Sequence, residues 1–150
     1  MSQSLVKANG IIFEVPGEPV PWTVYTRRGP PPPGFLAMQA WQEQIQAHMR
    51  HRWGNREPLS GPVTLYAAFY RGWPRSAPQK DGGAISRWYN KHIIMKPDTT
   101  NYLKAFEDAL IGIVFLDDAQ TLDIRGHKDY ASPGVSGYTV VTIDIAPQRP

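Results

Sequence analysis

Along this chain the apolar positions change period several times, and each change marks a new element. Gly10-Ile11-Ile12-Phe13-Glu14-Val15 reads as a strand, ended by Pro16-Gly17. From Phe35 to Arg52, Met38, Trp41, Ile45 and Met49 follow a helical spacing, while Gln39, Gln42, Glu43, Gln46 and Arg50 take the other sides. Gly54-Asn55 ends that helix, and Pro58 to Pro62 turns the chain. Val63 to Tyr70 alternates, with Val63, Leu65, Ala67 and Phe69 on its core face. Ala105 to Leu116 has the pattern of a short helix. Leu103, Phe106, Leu110 and Ile113 form its apolar stripe, Thr99 or Thr100 caps its start, and Gly112 suits its end. Thr121 to Tyr130 and Tyr138 to Ala146 read as two strands, the second with Thr139, Val141, Ile143 and Ile145 on one face. These two are expected to pair as a β-hairpin. The order predicts an α+β fold, a mixed four-stranded sheet with two helices packed on one face.

Two stretches between these elements are neither helix nor central strand. Pro19, Pro21 and the run Arg27-Arg28-Gly29-Pro30-Pro31-Pro32-Pro33-Gly34 favour a stiff polyproline II arm. Arg27 and Arg28 on that arm are candidate phosphate contacts, or simply solvated arginines. Residues 71–95 make a long loop rich in Gly, Pro, Ser and basic residues, with Trp73, Trp88 and Tyr89 interleaved. Aromatics among cations suit stacking on exposed bases, and they equally suit pinning a loop to the body of the domain. Ile93-Ile94-Met95 is expected to form a short strand delivering Lys96, and His92 to lie on the surface. Residues 1–9 and 147–150 are expected to fray.

The 150 residues suffice for one domain with a real core, and 41% hydrophobic with 19% charged residues is the balance of a folded protein. No apolar run is long enough for a membrane span, and no secretory signal is expected at the N-terminus. The absence of cysteine excludes disulfides and thiolate metal sites and fits a cytoplasmic location. Any metal must therefore be held by oxygen or imidazole. The formal charge of +3 is unevenly spread. Residues 71–104 carry Arg71, Arg75, Lys80, Arg87, Lys91, Lys96 and Lys104 against Asp81 and Asp98, a net of +5, so the remainder sums to −2. A polyanion is drawn to that segment.

Candidate chemistry lies directly after it. Asp98 precedes the second helix, Asn101, Lys104 and Asp108 share a polar face, and Asp117-Asp118 follows the helix. A carboxylate before a helix, a lysine on its first turn and an acidic pair beyond it can hold a divalent cation against a phosphate. The blocks KPDTTNYLKAFEDALIG and FLDDAQTLDIRGHK resemble the signature of the RusA-type Holliday junction resolvases. That signature runs K-P-D-x-D-N-x-x-K-x-x-x-D-A-L-x-G, then D-D-x-Q. The resemblance covers about a third of the chain in two blocks of fixed spacing. One position departs from it: Thr100 stands where the family has a second aspartate.

The resemblance implies a RusA-like endonuclease domain over residues 1–150, a homodimer acting on four-way junction DNA in recombination and repair. It implies Mg2+, with Mn2+ as the alternative, bound by Asp98 and Asp118, with Asp117 beside them. It assigns Lys104 to the attacking water or scissile phosphate and Asn101 to the supporting hydrogen bonds. Asp108 is placed behind them. Arg27, Arg28, Lys91, Lys96 and Lys128 are the candidate DNA contacts. Because threonine is a poor magnesium ligand beside a carboxylate, Thr100 raises the alternative of a junction-binding relative with weakened catalysis.

Overall fold

The structure, a computed structural model, describes residues 10–73 and 96–146. In chain order it has strand β1 (Ile11–Pro16), helix α1 (Pro33–Trp53), strand β2 (Val63–Arg71), helix α2 (Thr99–Leu110), and strands β3 (Thr121–Tyr130) and β4 (Tyr138–Ile145). A single 3-10 turn, Asp118–Gln120, leads into β3. Helix α1 starts two residues earlier than its apolar pattern indicates, because Pro33 at the first helical position has the required φ and lacks only an N–H that would be unpaired there. It stops at Gly54, whose φ of +67° takes the backbone out of the helix while its N–H still donates to the Arg50 carbonyl.

Both helices pack on one face of the sheet. Val63, Leu65, Ala67 and Phe69 of β2 are buried beneath them, while Tyr66 on the opposite face is exposed. The centre of the core is aromatic. Phe69 of β2 lies 5.8 Å from Phe106 and 5.5 Å from Tyr102 of α2, ring centre to ring centre, and Trp41 of α1 closes the group at 5.9 Å from Phe106. Tilted and edge-on contacts of this kind add to the hydrophobic gain of burying the rings.

The sheet order is β1-β4-β2-β3, so the expected hairpin between β3 and β4 does not form. β4 enters the middle of the sheet, antiparallel to both β1 and β2, whereas β3 runs parallel to β2 at the far edge. The residues explain the sorting. β4 buries Thr139, Val141 and Ile143 on alternate positions, as a central strand must, although Ile145 at its end is exposed. β3 carries Asp123, Arg125 and His127 exposed, which an edge tolerates and a central strand does not. Helix α2 is the crossover that a parallel β2–β3 pair requires.

Helix α2 also differs from its expected span of Ala105 to Leu116. It begins at Thr99, with Asp98 rather than either threonine in the N-cap position, and it ends at Leu110. Gly112, at φ +89°, reverses the chain, and its N–H donates to the Phe115 carbonyl. Ile113, Val114 and Phe115 thereby enter the core as a turn instead of as helix, leaving Leu116 exposed. Among the described residues no helix is long and apolar enough to cross a membrane. Lys91, His92, Trp88, Tyr89 and the expected strand Ile93–Met95 lie outside the described residues. Trp73 is described: its indole N–H donates to the Ala131 carbonyl at 2.6 Å, which pins the start of the loop to the domain.

Candidate active site

Helix α2 is held against β3 at one very close approach. A side chain at Gly126 would meet Thr99 Cγ2 at 2.8 Å and Leu103 Cδ2 at 3.3 Å, so only glycine lets the N-terminal turn of the helix sit this near the strand. Lys128, two residues further on β3, donates from Nζ to the Pro97 carbonyl at 2.8 Å. These contacts locate Asp98. Its carboxylate makes no capping bond to the helix and lies 3.5 Å from Lys96 Nζ, with both side chains largely exposed. Lys128 thus supports the turn that carries Asp98. Asn101 and Thr100 are exposed on the first turn, and the Asn101 carbonyl accepts from the Trp22 N–H at 3.0 Å.

Lys104 points toward the other end of the helix. Its Nζ is 3.7 Å from Asp108 Oδ1, one turn on, and 5.4 Å from the centre of the Trp22 ring. Glu107 is half-buried next to this pair. Burial pushes its carboxyl above the usual range, the Asp118 and Asp108 carboxylates add to the shift, and Thr121 and Lys104 oppose it.

The acidic turn after α2 is built as a capping box. Asp117 Oδ1 accepts from the Ala119 N–H at 2.8 Å. That bond, with a contribution from the Asp118 side chain, holds the Asp117 carboxyl below its ordinary value. Gln120 closes the box and uses its whole amide. Oε1 accepts from the Leu116 and Asp117 N–H groups at 2.8 and 2.9 Å, and Nε2 donates to the Leu59 and Gly61 carbonyls at 2.7 and 2.9 Å. Asp118 is left exposed at the start of the turn.

The family model described as Endodeoxyribonuclease RusA matches residues 23–143. The chain belongs to the RusA endodeoxyribonuclease family. It is also similar to the Uncharacterized protein YqaN of Bacillus subtilis (strain 168), 30% identical over 76 residues. That stretch is 49% of this chain and 52% of the relative, so the match spans about half of each.

In this RusA-family protein the site residues expected from sequence fall into two groups. Asp98, Lys96 and Lys128 gather where α2 begins. Lys104 and Asp108 pair toward its end beside Glu107, which feels the charge of Asp118 in the turn that follows. From Asp98 to Glu107 the helix rises roughly 13 Å. Among the described residues no set of three or more His, Asp or Glu side chains lies close enough to hold a metal ion. Asp98, Asp117 and Asp118 therefore do not form a three-carboxylate cage within one chain. Arg27 and Arg28 are exposed at the bend of the proline arm, where Arg27 has a φ of +64° and the Tyr25 hydroxyl donates to the Gly29 carbonyl.

Two contributors had no role assigned by sequence reading. Gln120 carried a usable signal, since Asp117 followed three residues later by glutamine is a capping-box pattern. Trp22 carried none, because its contact with Lys104 joins segments far apart in the chain.

Proposed function

We propose that this protein is a magnesium-dependent, structure-selective endonuclease that resolves four-way DNA junctions by phosphodiester hydrolysis, as a homodimer, in recombination and repair. Manganese is the alternative cation. The observation that carries this reading is the Lys104–Asp108 pair with Glu107 beside it, within electrostatic reach of Asp118 in the D-D-x-Q turn. Phosphodiester hydrolysis needs positive charge against the phosphate and acidic groups around the attacking water; Lys104 supplies part of the first and the neighbouring carboxylates the second. Lys104, half-exposed and paired only loosely with Asp108, is free to exchange that carboxylate for a phosphate oxygen. Lys96, on the exposed approach to Asp98, draws the backbone in, with Arg27 and Arg28 as further phosphate contacts.

The donor chemistry of Asp98, Asp117 and Asp118 suits a hard cation, which bound there would neutralise phosphate charge and activate water. Within one chain Asp98 stands at the start of α2 and Asp117 and Asp118 lie beyond its end, so the three do not gather around one ion. A homodimer joined along β3 reconciles the two. β3 is the edge of the sheet and runs antiparallel to α2, since Gly126 meets Thr99 whereas Thr121 lies by Glu107. Two copies of β3 pairing antiparallel about Ile124 would set Asp123 opposite the partner's Arg125, and Arg125 opposite the partner's Asp123. The same pairing would bring the Asp118 end of one protomer beside the Asp98 end of the other.

The deciding experiment is Asp118→Asn assayed on a synthetic four-way junction with magnesium. Cleavage should be abolished while junction binding stays intact or improves; retained cutting would reject the site. A second reading, a junction-binding protein with weakened catalysis, draws on Thr100. That residue presents a neutral hydroxyl on the exposed first turn where the family has a carboxylate.

A further inference from the structure

Lysine is a compact charge on a flexible stem, so an exposed lysine is fixed only as well as the groups around its ammonium hold it. For Lys104 the second holder besides Asp108 is Trp22. The indole is partly buried against the core, and its backbone is fastened on both sides. The Trp22 N–H donates to Asn101 on α2, and the next N–H, of Thr23, donates to Met38 Sδ on α1 at 3.3 Å. The ring is thus a platform fixed independently of the lysine, and Lys104 Nζ stands 5.4 Å from its centre. An aromatic face attracts an ammonium without neutralising it and without occupying all its N–H donors. A second carboxylate in the same place would do both.

We propose that Trp22 is the positioning residue for Lys104. Its indole holds the ammonium on the side of α2 that carries Asp108, and it keeps it there when an incoming phosphate displaces Asp108. The catalytic half of this assignment rests on the nuclease reading above; the placement half does not.

The test compares Trp22→Phe, which keeps a π face, with Trp22→Leu, which keeps only apolar bulk. In protein whose lysines carry 13C-methyl groups, the Lys104 resonance, assigned with Lys104→Arg, should be displaced by the ring current in wild type. It should stay displaced in Trp22→Phe and return to the position of the other lysines in Trp22→Leu. Single-turnover cleavage of a four-way junction should fall roughly three- to fivefold in Trp22→Leu and less than about twofold in Trp22→Phe, with junction affinity unchanged in both. An undisplaced wild-type resonance overturns the proposal. So does an equal loss of rate in the two variants, which would mark a purely structural tryptophan. If wild-type protein cuts no junction under any metal, the nuclease reading and the catalytic half fall together, and the resonance still decides the placement.

Discussion

Gln120 Nε2 donates to the Leu59 carbonyl oxygen at 2.7 Å, tying the acidic turn to the segment that enters β2. Its other bonds fix both N–H groups that open the turn. Gln120→Ala would leave these partners without a protein bond, and Leu59 and Gly61 lie where water replaces it only in part. Urea unfolding should show a loss of about 2–3 kcal/mol. Cleavage should fall further than that loss explains, because Asp118 is held in place by the same turn.

Glu107 predicts a pH dependence. Its folded carboxyl is raised above its unfolded value, chiefly by burial, so the folded state holds this proton more tightly. The stabilisation is complete below the unfolded pKa and is lost as pH rises through the folded one. Glu107→Gln keeps the shape of the protonated acid. With the group only partly buried, the variant should melt roughly one or two degrees higher than wild type at neutral pH. Below about pH 4 the two should coincide. Thermal melts across pH 3.5 to 8 measure this.

A site shared between protomers has a signature that no single-chain site can produce. Asp98→Asn and Asp118→Asn should each be inactive alone. Mixed and allowed to exchange subunits, they should regain roughly a quarter of wild-type sites, since half the dimers are mixed and each rebuilds one of its two sites. A mixture as inactive as its components would place both aspartates in one protomer's site and remove the β3 interface from the account.

Thr100→Asp adds a carboxylate two residues after Asp98, on the exposed first turn of α2. If threonine weakens a metal site, the variant should cut faster and reach half-maximal activity at lower magnesium. A metal titration of initial rates reads both. No change in either would show that the position is tolerated as it stands.

How much of this was legible in the chain depends on how local each determinant is. The faces of α1 and β2 were readable because Met38, Trp41, Ile45 and Met49, and Val63 to Phe69, repeat at the period of their own element. The end of α2 is not legible in the chain because Ile113 and Phe115 are apolar at near-helical spacing, yet Gly112 turns the backbone and buries them by another route. The strand order is not legible either, because adjacency in sequence favours pairing of β3 with β4 as a hairpin. The burial demand of Val141 and Ile143 instead draws β4 between β1 and β2.

The sequence by itself determined the elements, the α+β class, the family motif and the identity of the acidic and basic candidates. All of these are written in spacings of a few residues, and local backbone geometry enforces them. Only the tertiary structure decided the strand order, the separation of Asp98 from the Asp118 turn along α2, and the placing of Lys104 over Trp22. Each of these depends on which distant surfaces best exclude water from one another. That competition is settled over the whole core, and no short stretch of chain encodes it.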